Sequence, residues 1–384
     1  MTATDRADGS TAGLRLALFS DTYPPQINGV APTLARLVKA VEARGGEVQV
    51  VTVSDPDAPA DPQVERWPSI PFWAYPQLQM AAPRRDKALD LVEKWKPNLV
   101  HATTEFGIGL GGLLGAKEKR VPLVTSYHTH FTAYLRHYNL SVLDAIGWPY
   151  LRWFHNAGRI TWAPSEIVRA ELEGNGFKNT RVWSRGVDQN QFHPKFRSSE
   201  LRRSLGVEED GVLAVYIGRL APEKGIHVAL EGMRQVMERN PKVRFALAGH
   251  GPDEERCRAT APPGTVFMGR LTGRALGEFY ASGDIFVFPS ITETFGNVVL
   301  EAMSSHLALV APDIGATTEL ATPETALQFR AQDPGSLAGG VEQLVKDPAL
   351  RRKLADAAFA VAETRTWDSV FDRLVADYRD ALNA

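Results

Sequence analysis

At 384 residues the chain is too long for one comfortable hydrophobic core, so two domains are the first expectation. A composition of 44% apolar and 23% charged residues with a formal net charge of -2 gives no overall attraction for nucleic acid, while a local basic or aromatic patch could still meet an anionic surface. The single cysteine, Cys257, leads to the expectation of no disulfide and no Cys-based metal site and points to a reducing compartment, with the cytosol as the expected location.

The opening MTATDRADGSTAG is polar throughout and reads as a flexible lead, residues 1–13, rather than a signal peptide; no apolar run reaches the length of a membrane span. From Leu14, short apolar runs alternate with amphipathic stretches: LRLALFSD, then PTLARLVKAVEARGG, then EVQVVTV. Leu34, Leu37, Val38 and Val41 recur at helical spacing, Pro32 suits a first helical turn, and Gly45 and Gly46 suit its stop. That is a β-α-β unit, and NLVHATT, VPLVTSYHT, ITWAPS and RVWSRGVD continue it as a doubly wound parallel sheet. The strand signal lapses from Asp188 to Gly211, then resumes at VLAVYIGRL and runs through VRFALAGHG, TVFMGRL, IFVFPS and LALVAP. The expected fold class is α/β, with two Rossmann-like doubly wound lobes, residues 14–195 and 196–364, facing a central cleft. Residues 365–384 read as an amphipathic helix that packs back on the first lobe.

Ligands of open α/β sheets sit at the carboxyl ends of strands, so the residues just past each run matter most. In SDTYPPQINGV, Gly29 lets backbone approach a phosphate and the helix near Pro32 aims free N–H groups at an anion; a plain turn of Pro24, Pro25, Asn28 and Gly29 is the alternative. SYHTHF puts His128 and His130 beyond another strand, where a neutral imidazole at position 128 can orient a hydroxyl and accept its proton. In YIGRLAPEKG, Arg219 and Lys224 can fold over one oxyanion cluster such as a diphosphate, or else pair with Glu223 in solvent. LAGHGP and FMGRL end two strands with small residues, leaving room for a flat base beside Phe267 and Met268, unless they are ordinary turns. In PSITETFGNVVLEAM, with a strand from Ile285 to Pro289 and a helix from Asn297, Glu293 lies in the connecting loop and Glu301 about a turn into the helix. Two carboxylates there can accept hydroxyl protons from a polyhydroxylated ligand; a helix-dipole acid and a solvated acid are the plainer account. Asp55 and Asp57 form a DxD flanked by prolines, which reads as a turn, and no metal is expected.

Together PQINGV, SYHTHF, RGVD, GRLAPEKG, AGHGP and the Glu-x7-Glu of ETFGNVVLEAM resemble the retaining glycosyltransferases of family 4 over nearly the whole chain from Leu14, and the resemblance implies the GT-B fold. It implies that Gly29 lies against the donor phosphate, that His128 faces the transferred sugar, and that Arg219 and Lys224 hold the diphosphate. By the same resemblance Glu293 would bond sugar hydroxyls and Glu301 ribose hydroxyls, while Phe295, Gly296 and Asn297 would bring backbone N–H groups to the donor, with Gly218, Gly249 and Met268 also lining it. Many relatives carry Gly-Gly where this chain has Asn28-Gly29, so the role of the Asn28 side chain needs its own account. Within the family the pattern looks most like the GDP-mannose-dependent α-mannosyltransferases of the phosphatidylinositol mannosyltransferase type. That implies a nucleotide-sugar donor, GDP-mannose or a UDP-sugar, as substrate, no cofactor, and a lipid or glycolipid acceptor. The implied chemistry is a front-face displacement with retention. Alternatives are a UDP-sugar-dependent glycosyltransferase and, from another class, a two-lobed sugar-binding protein without catalysis. The segment 131–160 interleaves aromatics with Arg136, His137, Arg152 and His155, either as a patch meeting an anionic membrane at its inner face or as a buried helix pair.

Overall fold

The computed structural model describes residues 10–26, 28–72, 75–128 and 144–384. They form two compact units, one running through Ser184 and rejoined by Asp368–Ala384, the other Arg185–Trp367. The second unit begins before residue 196 because Val187 bridges to Thr366 and because Phe192 is buried in the second core, where its carbonyl accepts from Ser304 Oγ at 2.7 Å.

The first unit is built on β1 (Arg15–Phe19), β2 (Glu47–Val53), β3 (Val64–Trp67), β6 (Leu99–Ala102), β7 (Leu123–Ser126), β8 (Thr161–Ala163) and β9 (Thr180–Val182), a parallel sheet ordered β3-β2-β1-β6-β7-β8-β9. A separate antiparallel pair, β4 (Ser69–Phe72) and β5 (Tyr75–Ala81), follows β3. Helix Ala31–Ala43 has a proline in its first turn and buries Leu34, Leu37, Val38 and Val41, the stripe expected from their spacing. The carboxyl-terminal helix Trp367–Asn383 joins this unit: Tyr378 OH is hydrogen-bonded to His101 Nδ1 at 2.8 Å, Trp162 Nε1 donates to Asp377 Oδ2 at 2.8 Å, and Arg44 pairs with Asp372.

The second unit has a six-stranded sheet of β10 (Val212–Ile217), β11 (Val243–Ala248), β12 (Val266–Phe267), β13 (Ile285–Val287), β14 (Ala308–Pro312) and β15 (Ala326–Phe329), ordered β12-β11-β10-β13-β14-β15 and paired in parallel. Strand β10 is apolar at every position because both of its faces are covered: Leu213, Val215 and Ile217 enter one core, Val212, Ala214 and Tyr216 the other. Core packing of this kind makes truncation costly, about 3–5 kcal/mol for a buried phenylalanine such as Phe286. Among the described residues no helix is long and apolar enough to cross a membrane.

Candidate functional site

In the second unit β11 lies on one side of β10 and β13 on the other, which makes the β10/β13 junction the topological switch point of this sheet. Two loops leave the sheet there, residues 218–225 after β10 and 289–296 after β13. They are in close contact: Thr292 Oγ1 donates to the Glu223 carbonyl at 3.1 Å, and a Cβ on Gly225, which sits at φ +65, would come within 2.8 Å of the Pro289 carbonyl oxygen. Beside them the turn after β11 presses on the first loop so closely that a Cβ on Gly249 would fall 1.8 Å from the Gly218 carbonyl oxygen. No other residue type fits that approach.

Across the two loops Lys224 Nζ donates to Glu293 Oε1 at 2.6 Å, and Ser290 Oγ donates to the same oxygen at 3.3 Å. Both charged side chains are about four-fifths withdrawn from solvent, with 19% and 22% exposure. Arg219 lies on the same loop with its Nη1 4.0 Å from Glu223 Oε1, and its backbone carbonyl accepts from the buried Tyr216 hydroxyl at 3.0 Å. The two cations thus have different carboxylate neighbours, Glu293 for Lys224 and Glu223 for Arg219. Burial, with Glu293 and Glu223 among its charged neighbours, pushes the Tyr216 phenol well above its ordinary value, so it stays a neutral donor.

The helix after the second loop is Asn297–Ser304; its N-terminus follows Gly296 and no side chain caps it. An uncapped N-terminus presents N–H groups to an anion. Phe295 is buried in the core, so only its backbone is left for a ligand. Glu301 lies one turn into the helix and accepts from Tyr280 OH at 2.8 Å. Tyr280 is fully buried, and its phenol is held well above its ordinary value by that burial and by the Glu301 charge. Sequence reasoning missed this partner, whose only signal is its place near the end of helix Gly273–Ser282. At β12, the Met268 N–H donates to the Leu247 carbonyl at 2.8 Å and is not available to a base.

In the first unit Asn28 has a defined task. Its Oδ1 accepts from the N–H groups of Val30 and Ala31, both at 2.9 Å, and its Nδ2 donates to Thr22 Oγ1 at 2.5 Å. The side chain therefore takes up N–H groups at the start of helix Ala31–Ala43 that the sequence reading left free for a phosphate, a correction set by its own carboxamide. Gly29 is exposed beside it. His128 is buried just beyond β7, its ring edge-on to Trp183 at 5.3 Å. The Asp55–Asp57 stretch is a turn in which the Asp57 N–H donates to Asp55 Oδ1 at 3.0 Å.

His155 follows the buried alternative for its segment. It is fully buried, hydrogen-bonded to Thr125 Oγ1 at 2.9 Å and to Glu105 Oε1 at 3.4 Å, because helix Asp144–His155 turns Leu151, Phe154 and His155 inward. Arg152 and Trp153 of the same helix are exposed, Trp153 by 48%. His130, Arg136 and His137 lie outside the described residues. Asp21, just past β1, is a buried acid that sequence reasoning passed over. It accepts from Thr104 Oγ1 at 2.5 Å and from the Ile108 N–H at 2.9 Å, and desolvation raises it to about 6 from 3.8.

Residues 27–191 match the family model Glycosyltransferase Family 4, and residues 211–347 match Glycosyl transferases group 1. A sulfoquinovosyl transferase of Arabidopsis thaliana is 32% identical over 92% of this chain and 71% of its own length. A GDP-mannose-dependent alpha-mannosyltransferase of Mycolicibacterium smegmatis is 30% identical, covering 96% of this chain and 98% of the relative. An alpha-monoglucosyldiacylglycerol synthase of Streptococcus pneumoniae is 29% identical over 78% of this chain and 71% of its own. Among solved structures, sucrose-phosphate synthase from Thermosynechococcus elongatus superposes with a TM-score of 0.77 at 20% identity, covering 96% of this chain and 98% of that one, a likeness of fold. With two Rossmann-like parallel-sheet units and these relatives, the chain belongs to glycosyltransferase family 4 and is a hexosyltransferase of the GT-B fold.

Proposed function

We propose that this enzyme moves a hexose, foremost mannose from GDP-mannose, to a hydroxyl of a lipid or glycolipid, with retained anomeric configuration and no metal ion. The observation that carries the reading is the Lys224–Glu293 ion pair at the β10/β13 switch point. An entering nucleotide sugar supplies each partner with a replacement: the diphosphate takes the Lys224 ammonium, and sugar hydroxyls donate to the freed Glu293 carboxylate. Arg219 adds a second cation and the uncapped helix start at Asn297 adds N–H donors, so charge on the departing phosphate is met by groups already in place. Glu301, held by Tyr280, bonds the ribose hydroxyls.

In the transfer the bond between the anomeric carbon and the phosphate oxygen breaks while the acceptor oxygen bonds the same face of that carbon. The acceptor proton passes to the departing phosphate oxygen, so no protein base is consumed. For His128 and Gly29 we keep the roles that the family resemblance implies, sugar orientation for the first and a donor-phosphate contact for the second. The mycobacterial relative supports the GDP-mannose donor and the pneumococcal one a lipid acceptor. Exposed Arg152 and Trp153 support contact with an anionic membrane, which we place at its cytosolic face.

A second reading takes a UDP-sugar as donor, and its glucosyl transfer is supported by the name of the pneumococcal alpha-monoglucosyldiacylglycerol synthase at similar identity. Thermal-shift titration with GDP- and UDP-sugars decides between them, followed by nucleotide release with and without lipid acceptor. A shift with GDP-mannose and acceptor-dependent release of GDP is expected. A shift with UDP-glucose alone transfers the donor assignment to the second reading, and no shift with any nucleotide sugar overturns both.

A further inference from the structure

We infer that His227, Asp253 and Cys257 form a binding site for a thiophilic divalent cation, Zn2+ in the first place, apart from the two loops that serve the donor. His227 is on the first turn of helix Ile226–Arg239, while Asp253 immediately precedes helix Glu254–Thr260 and Cys257 lies within it. The Cys257 N–H donates to the Asp253 carbonyl at 2.9 Å, which puts these two residues one helical turn apart with their side chains on one face. That face meets the neighbouring helix where His227 Nε2 lies 2.5 Å from Asp253 Oδ2. The three candidate ligand atoms all fall within 4.8 Å of one another, the single such group among the described residues. The proposed site departs from the expectation of no Cys-based metal site, which considered the lone cysteine without the two ligands that the fold brings to it.

The donor set selects the ion. Sulfur, imidazole nitrogen and carboxylate oxygen suit Zn2+ and its neighbours in the transition series, whereas Mg2+ and Ca2+ take oxygen alone. With Zn–S about 2.3 Å and Zn–N about 2.0 Å, binding requires the His227–Asp253 hydrogen bond to open by roughly 1 Å. His227 is partly exposed at 29%, so the ion enters from its side and keeps a water in the fourth position. The Cys257 thiol releases its proton to solvent as the S–Zn bond forms. A bare hydrogen bond between His227 and Asp253 needs nothing from Cys257, and on that difference the test turns. His227 follows Lys224 by three positions, so an ion here would pin the turn after β10 to helix Glu254–Thr260 and raise the melting temperature.

The test uses the full chain stripped with chelator and titrated with Co2+ and Zn2+. Wild type is expected to take one equivalent of Co2+ with a near-ultraviolet thiolate-to-cobalt charge-transfer band, and to bind Zn2+ in competition with a colorimetric chelator. Cys257→Ala should lose the band, and His227→Gln, at a partly exposed position that leaves the core intact, should weaken Zn2+ by about tenfold or more. Circular dichroism confirms that each variant is folded. No band in wild type, a band retained in Cys257→Ala, or equal Zn2+ affinity in wild type and His227→Gln each overturns the site.

Discussion

Lys224 Nζ and Glu293 Oε1 meet at 2.6 Å although 69 residues of sequence separate them, each carried by the loop after its own strand. Replacing Glu293 by Ala or Lys224 by Ala is expected to lower kcat/KM by about 100-fold to 1000-fold, since each removes a group to which we assign a donor contact. Stability should fall by about 1–3 kcal/mol, because either change leaves a charge that is about four-fifths withdrawn from solvent without this partner. Steady-state kinetics paired with thermal denaturation checks both halves. A Glu293→Ala enzyme working at the wild-type rate would remove Glu293 from the site.

Tyr280→Phe deletes one hydroxyl from the core and leaves Glu301 without that donor. The expected result is a donor KM raised about tenfold with kcat nearly unchanged, matching a hydrogen bond to a charged group worth about 1.5 kcal/mol. A kcat that falls as much as KM rises would mean that the contact acts on the reacting centre instead.

Asp21 offers a pH experiment. Its folded-state value of about 6 lies above the ordinary 3.8, so the fold favours the protonated form: that contribution is complete below about pH 4 and is lost as pH rises through about 6. The loss is on the order of 3 kcal/mol. Asp21→Asn never ionises and can still accept from the Ile108 N–H. Urea denaturation of both proteins should therefore show the variant gaining on wild type between about pH 4 and pH 7.5. A pH-independent difference refutes the assignment.

At the exposed edge of helix Asp144–His155, the double change Arg152→Ser with Trp153→Ser should reduce flotation with anionic liposomes by about tenfold. The melting temperature should stay within a degree or so, because neither side chain enters the core. Undiminished flotation assigns membrane contact elsewhere.

The central strands of the two sheets were readable because buried parallel strands are apolar on both faces, and the helix at Asn297 because a polar loop with glycine precedes it; the edge strands β3 (VERW) and β15 (ALQF) were not read, since each exposes polar residues. Glu293 in the loop and Glu301 one turn on were legible for the same reason. Strand β13 ends at Val287 rather than Pro289: Val287 is the last residue in register with β14, and the Phe288 N–H still donates to the Val310 carbonyl at 2.9 Å. Aromatic and basic residues interleaved around His155 left an interfacial patch and a buried helix pair both open, and the helical repeat divides them: His155 lies with Leu151 and Phe154 on the inner face, Trp153 on the outer. Partners far apart in sequence had no local signature: Lys224 with Glu293, Tyr280 with Glu301, His227 with Asp253.

The hydroxyl of Thr292 on the Glu223 carbonyl, together with the tight approach of Gly225 to Pro289, makes the loops after β10 and β13 a single mechanical part. Specificity in such a part is heritable only as a pair. Grafting one loop from a homologue with a different sugar preference should give an inactive chimera, and exchanging both at once should carry the preference across.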